Sequence, residues 1–184
     1  MTPIYVLLGV LALLGLWIAI AYNALVRLRN KVDEAWRGID VQLRRRHDLV
    51  PNLVVAVRGY APRERETLKE LTSARAAAVL AREAGSVEGA ESRLTSALAQ
   101  VSARAERYPE LRSSARFRRL QAELVDIEDQ IHAAGRTYNA TVQGYNTRTR
   151  RWPTMMVAGP LSFRPRQFFK IEHAPERGMA QVAV

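Results

Sequence analysis

The stretch Pro3–Tyr22, PIYVLLGVLALLGLWIAIAY, decides the fold, because twenty consecutive residues carry no charge. At a rise of about 1.5 Å per residue, a helix of this length spans about 30 Å, the thickness of the hydrocarbon core of a bilayer. Aromatic residues near both ends of such a span are typical of membrane interfaces. The stretch therefore predicts a transmembrane anchor over residues 1–22, with the span marked by Pro3, Tyr5, Trp17 and Tyr22.

A cleaved secretory signal is the competing interpretation of this stretch, since Ala19-Ile20-Ala21 has the pattern of a cleavage site. No basic region precedes the apolar residues, however, and a signal has a core of only about 7–15 residues. We therefore expect a retained anchor. Arg27, Arg29, Lys31 and Arg37 follow the span, and this positive charge predicts an outside N-terminus and a cytoplasmic remainder.

The residues after Tyr22 have a helical period, with no turn signal between them and the anchor. Apolar side chains recur every three or four residues, which indicates that the membrane helix continues as one rod, kinked at Pro51. A break at Gly59–Pro62 separates the first helix from a second, and a break at Gly85-Ser86 separates the second from a third. The alanine-rich faces of the second and third helices suit close lateral association. The third helix is expected to end before Pro109. The apolar stripe of the first helix is Leu25, Leu28, Val32, Trp36, Ile39 and Leu43.

The last predicted helix has the clearest pattern and ends at Trp152-Pro153. Apolar residues recur every seven positions with a second set between them, which is the seam of coiled-coil packing in helical bundles. The fold class predicted for the chain is all-α, with the N-terminal transmembrane helix continuing into an elongated antiparallel four-helix bundle over residues 23–152. The heptad positions are Phe117, Leu124, Ile131, Tyr138 and Tyr145, with Leu120, Ile127 and Ala134 between them.

The remaining segment, residues 153–184, predicts an irregular apolar C-terminal tail. Its prolines prevent a long helix, yet it is too apolar to about residue 171 for a free linker. We expect the apolar part to pack on the bundle, on another subunit or on lipid, and the part from about His173 to be disordered.

Several separate blocks of the chain resemble the LemA family of bacterial membrane-anchored helical proteins. The resemblance implies an inner-membrane protein with one N-terminal span and an up-down helical bundle. It implies no enzymatic activity, and relatives are associated with membrane organisation, including in magnetosomes, and with neighbouring membrane proteases. The blocks are YNALVRLRNKVDEAWRGIDVQLRRRHDLVPNLV (Tyr22–Val54), VRGYAPRERETL (Val57–Leu68), FRRLQAELVDIEDQI (Phe117–Ile131), YNATVQGYN (Tyr138–Asn146) and FRPRQFF (Phe163–Phe169).

Two basic runs are candidate contact sites. The run Arg44–His47 could bind phosphate, but we favour a solvated helix face paired with Asp40 and Asp48. The last helix of an up-down bundle returns to the membrane, so its basic end could contact headgroups, although the helix dipole alone also favours bases there. The candidate lipid or oligomer contacts are Arg148, Arg150, Arg151, Trp152, Phe163, Phe168 and Phe169.

Tyrosine and asparagine repeat at a spacing of seven in the last helix, and buried polar groups of this kind can fix helix register. The predicted register network consists of Trp36, Gln121, Tyr138, Asn139, Tyr145 and Asn146.

No catalytic, cofactor-binding or metal-binding residue is predicted, and the protein is not expected to be an enzyme. Cysteine is absent, which excludes a thiolate zinc site and a disulfide scaffold. Glu128 and His132 lack the second pair that a di-iron bundle needs. A net charge of +10 suggests nucleic acid, but 18 acidic residues interleave with the bases, so nucleic acid is not an expected partner.

The predicted function is a non-enzymatic membrane scaffold that assembles with its own copies and organises membrane or partner proteins. The alternative is an adaptor or regulator of a membrane protease or signalling protein. The expected partners are therefore the lipid bilayer, further copies of the chain and another membrane protein.

Overall fold

The computed structural model describes residues 2–84 and 87–170, and within these ranges every regular element is a helix. The all-α class is thus confirmed, while the elongated four-helix arrangement stays a prediction. The expected break at Gly85-Ser86 and the expected disorder from His173 lie outside the described residues. The helices are α1 (Thr2–Tyr60), α2 (Arg65–Glu83), α3 (Glu88–Ala105), α4 (Pro109–Ser113), α5 (Ala115–Arg150) and α6 (Met155–Ala158).

Helix α1 contains the apolar stretch and continues without interruption into the stripe that follows it. Among the described helices it is the one long and apolar enough to cross a membrane, judged by length and composition alone, a test that an N-terminal signal sequence also passes. The side chains of residues 3–20 are almost all exposed, whereas Leu25, Val32, Ile39 and Leu43 are buried. The long apolar N-terminal helix is thus confirmed, and its membrane crossing stays a prediction.

The chain divides into two compact units, and α1 and α5 each contribute to both. Among the described residues, the first unit comprises 2–38 and 134–168, and the second comprises 39–84, 87–133 and 169–170. In the first unit, the heptad tyrosines of α5 and the stripe of α1 lie in the core together with α6 and the segment after it. The buried side chains there include Leu25, Val32, Tyr138, Val142, Tyr145, Val157, Ala158 and Phe163.

The core of the second unit consists of apolar side chains from five helices. Ala74 and Ala78 of α2 and Ala97 of α3 belong to it, so the alanine-rich faces are used inside the chain. This corrects the expectation that they serve lateral association. Helix α3 ends at Ala105, before Pro109 as expected. A further difference is the short helix α4, which begins at Pro109 because proline at the first helical position costs no hydrogen bond. Leu111 of this short helix is fully buried.

The chain itself covers part of the apolar tail. Phe163 and Phe169 are buried, as are Val157 and Ala158 of α6. Phe168 is half-exposed, and Trp152 is among the most exposed apolar side chains of the chain. Of the predicted lipid or oligomer contacts, the exposed ones are therefore Arg148, Arg150, Arg151, Trp152 and Phe168.

Candidate functional site

A buried charged cluster lies in the second unit, on helices α1, α3 and α5. Arg46 is fully buried and forms an ion pair with the equally buried Glu91. Its Nη1 atom also donates to Glu128 Oε2 at 2.6 Å and to Thr95 Oγ1 at 3.1 Å. His47 Nε2 lies 2.7 Å from Glu91 Oε1. One carboxylate of α3 thus binds two basic side chains of α1.

The expected solvated face is therefore wrong for Arg46 and His47, although it holds for Arg44, which is exposed and pairs with Asp40 at 2.9 Å. A signal for burial was present in the spacing. Arg46 and His47 fall between Leu43 and Val50, at the three- and four-residue steps of the buried stripe. In the same way, Glu91 falls between two buried apolar residues of its own stripe.

The environment of Glu91 favours its charged form. Burial alone would raise the pKa of this carboxyl, but the hydrogen bond from His47 and the charge of Arg46 outweigh it, so the pKa lies below its usual value. A buried carboxylate and a buried guanidinium are tolerated together because each neutralises the charge of the other, although Arg46 Nε has no hydrogen-bond partner among the described residues.

The carbonyl of His47 has an unusual partner that follows from the sequence. In a helix it would accept from the backbone N–H four residues later, but that residue is Pro51, which has none. Arg75 of α2 donates from Nε to this carbonyl at 2.7 Å. The side chain of a neighbouring helix thus replaces the hydrogen bond that the proline removes.

A solvent-open groove of about 890 Å³ adjoins the cluster between α3 and α5. Its apolar lining includes Leu98 and Val125, the latter 63% exposed. Asp126, Glu128 and Asp129 give it carboxylates, so it is suited to a segment carrying apolar and basic side chains. Gln121, predicted as a register residue, also lines this groove.

The other members of the predicted register network lie in the first unit, where two of them bind the C-terminal segment. The Asn146 side chain donates from Nδ2 to the Arg166 carbonyl and accepts from the Arg166 N–H, both at 2.8 Å. The Tyr138 hydroxyl donates to the Gln167 carbonyl at 3.1 Å. The rings of Trp36 and Tyr138 meet edge to face, 5.4 Å apart.

The remaining two residues of the network share the same helix. Tyr145 is buried, and burial raises its pKa. Asn139 is half-buried. A role in helix register stays a prediction for all six residues, whereas contact with residues 166–167 is observed for Tyr138 and Asn146.

A metal site in this chain would be built from histidine and carboxylate side chains, because cysteine is absent. Within residues 2–84 and 87–170, no group of three or more such side chains is placed to hold a metal ion. His132 Nε2 lies 3.5 Å from Glu128 Oε1 on the same helix. These contacts form part of an ion-pair network that joins α5 to the helices beside it.

Comparison with known proteins adds a family match and several distant relatives. The model of the LemA family matches residues 35–183. The chain is 24% identical over 174 residues to magnetosome protein MamQ of Magnetospirillum gryphiswaldense, covering 80% of this chain and 64% of the relative. It is 27% identical over 141 residues to protein LemA of Metamycoplasma hominis, covering 76% and 64% respectively. The chain thus spans less than two thirds of the length of these curated relatives.

Proposed function

The chain belongs to the LemA family, and on that premise we propose that it is a non-enzymatic, membrane-anchored scaffold. In this proposal it assembles with further copies of itself and organises membrane or partner proteins. The observation that carries the proposal is helix α1, whose residues 3–20 expose apolar side chains and whose later residues contribute to the core of a packed helical protein.

This apolar surface and the name of one relative both support a membrane location. An exposed apolar surface of this extent is unusual for a soluble protein and is typical of a segment in contact with lipid. One relative, from Magnetospirillum gryphiswaldense, is named a magnetosome protein. We propose a single span in the bacterial inner membrane, with the N-terminus outside, because the basic residues of α1 follow the apolar stretch.

Self-assembly is tested most sharply by single-cysteine crosslinking, because the natural chain has no cysteine. Cysteine is introduced at an exposed site, Val125 or Leu80, in the full-length protein in its native membrane, and a short bifunctional thiol reagent is added. Leu94→Cys, at a fully buried site of α3, is the matched control. The proposal predicts dimers and larger species from at least one exposed site and none from the control.

Native mass measurement of the full-length protein in lipid nanodiscs or mild detergent gives the independent readout. A particle containing several copies is expected. A strictly monomeric particle at every accessible concentration, together with no self-crosslinks from either exposed site, would contradict self-assembly.

The groove between α3 and α5 favours a second candidate function, that of an adaptor. Its exposed Val125 beside Asp126 and Asp129 matches a partner segment with apolar and basic side chains. The two functions differ in the crosslinks formed from Val125→Cys in cells. Self-crosslinks support the scaffold, whereas one dominant crosslink to a different membrane protein, lost in Asp126→Lys/Asp129→Lys, supports the adaptor.

A further inference from the structure

We propose that the turn of residues 151–162, which joins α5 to the C-terminal segment, binds the surface of an anionic bilayer through its exposed apolar side chains. We call it the Trp152 turn. The inference rests on the proposed anchorage by α1 and adds a second, peripheral membrane contact to it.

The Trp152 turn has two chemically distinct sides. Thr154, Val157 and Ala158 are at most 6% exposed and attach it to the chain. The opposite side presents large apolar groups to the outside, a combination that is unfavourable in water and suits the headgroup boundary of a bilayer. The exposed apolar side chains are Trp152 (73%), Met155 (53%), Met156 (66%) and Leu161 (46%).

Contacts inside the first unit place the turn beside the end of the apolar stretch. The ring of Phe163, directly after the turn, lies 5.8 Å from the ring of Tyr22, the last residue of that stretch. Three residues later, Arg166 Nη2 lies 3.0 Å from Asp33 Oδ1, about 16 Å farther along α1. The segment after Phe163 therefore runs away from the anchor, which puts the Trp152 turn on the anchor's side.

The positive charge of this region favours binding to an anionic surface. Between Asp129 and Glu172 the sequence contains no acidic residue. Arg148, Arg150 and Arg151 are exposed at the turn itself, and juxtamembrane bases of this kind are attracted to anionic headgroups. A second copy presenting the same turn would bring like charges together, so lipid is the favoured occupant.

The chain's own tryptophans provide the test, because only Trp17, Trp36 and Trp152 are present. The full-length protein is reconstituted in vesicles containing phosphatidylglycerol, with Trp152 left as the sole fluorophore by Trp17→Phe and Trp36→Phe. The matched control removes all three and adds Leu80→Trp, at a site 66% exposed and outside the first unit. Quenching is measured with brominated lipids and with acrylamide in the water.

The proposal predicts that brominated lipid quenches Trp152 and that acrylamide quenches it at least about twofold less than the control. Replacing Arg148, Arg150 and Arg151 by glutamine should abolish any difference between phosphatidylglycerol and neutral phosphatidylcholine vesicles. Equal acrylamide quenching at positions 152 and 80 would overturn the inference. The inference would also be overturned if the protection of Trp152 from acrylamide rose with the protein density in the vesicles and brominated lipid did not quench Trp152. That result would assign the turn to a contact with a second copy of the chain.

A variant that keeps only Trp17 separates this inference from the proposed anchorage. If brominated lipid quenches Trp17 in this variant, while Trp152 in the Trp152-only variant is open to acrylamide, the proposed membrane contact of the Trp152 turn is overturned and the anchorage is not. If neither tryptophan is quenched by lipid, the anchorage fails as well.

Discussion

Arg46 and Glu91 place opposite charges on the apolar stripes of two different helices, and the two buried side chains form an ion pair. His47 and Glu128 complete the cluster, so that every charged member has a partner of opposite sign or a hydrogen bond. At the scale of single residues, this cluster is where a small chemical change should have the largest effect.

Glu91→Gln should destabilise the fold by about 3 kcal/mol or more, because it leaves the charge of Arg46 buried without its main partner. Denaturant unfolding of the full-length protein in detergent, followed by circular dichroism, measures this loss. The matched control is Glu70→Gln, which breaks the exposed pair with Arg93 and should cost less than about 1 kcal/mol. Equal effects of the two substitutions would contradict the burial of the cluster.

The same carboxylate predicts how stability depends on pH. The pKa of Glu91 is lowered in the folded protein, so its contribution is fully present above the unfolded-state value of about 4.5 and is lost as the pH falls through the folded pKa. The stability difference between wild type and Glu91→Gln should therefore shrink under acidic conditions. A stability difference that grew as the pH fell would mean that the pKa of Glu91 is raised in the folded protein, which would contradict the prediction.

Pro51 and Arg75 predict a coupled pair of substitutions. Arg75→Met should destabilise the fold by about 1–3 kcal/mol, because the His47 carbonyl loses its donor. In a Pro51→Ala background the restored backbone N–H can serve that carbonyl, so the cost of Arg75→Met should fall. A double-mutant cycle of unfolding free energies measures the coupling between the two positions. Strictly additive effects would contradict the proposal that the Arg75 side chain takes the place of the backbone N–H that Pro51 lacks.

At the scale of elements, the segment 163–168 is attached to α5 by hydrogen bonds between its backbone and the side chains of Asn146 and Tyr138. Asn146→Ala should raise the hydrogen-exchange rate of the Arg166 amide about 5–30-fold, since bonds worth about 1–2 kcal/mol are lost. Gln143→Ala, at an exposed site of the same helix, is the control. An unchanged rate in Asn146→Ala would show that other contacts hold the segment.

The sequence could predict most helices but not the polar chemistry between them. The stripe of α1 and the heptads of α5 are periodic, and periodicity determines which face is buried. The short helix α4 was missed because five residues are too few for a period. The partner of Arg46 could not be predicted, because Glu91 on α3 lies 45 residues away and only the fold brings the two together.

Asn146 illustrates the same limit for the candidate sites. Its spacing indicates a defined face of α5, but a face does not reveal the neighbour that occupies it. The structure shows that this neighbour is the backbone of Arg166, in a segment that its prolines kept from being helical. The exposure of the Trp152 turn likewise depends on which tail residues the chain covers, and no local pattern contains that information.

At the scale of the whole molecule, α1 joins an exposed apolar segment to a packed helical core in one uninterrupted helix. Charges within residues 3–20 should therefore disrupt localisation without disrupting the fold. Leu11→Arg combined with Leu14→Arg should move the protein out of the membrane fraction, because each arginine at the centre of a span costs about 2.5–3.5 kcal/mol. Leu80→Arg, at a site of similar exposure in α2, should leave the distribution unchanged.

We propose that the apolar segment of α1 stays on the protein and holds it in the bilayer. Alkaline extraction of bacterial membranes, followed by intact-mass measurement of the protein in each fraction, tests this most directly. We expect a protein that remains in the membrane pellet with its residues before Ala21 present. A protein that begins after Ala21 and is found in the soluble fraction would contradict it.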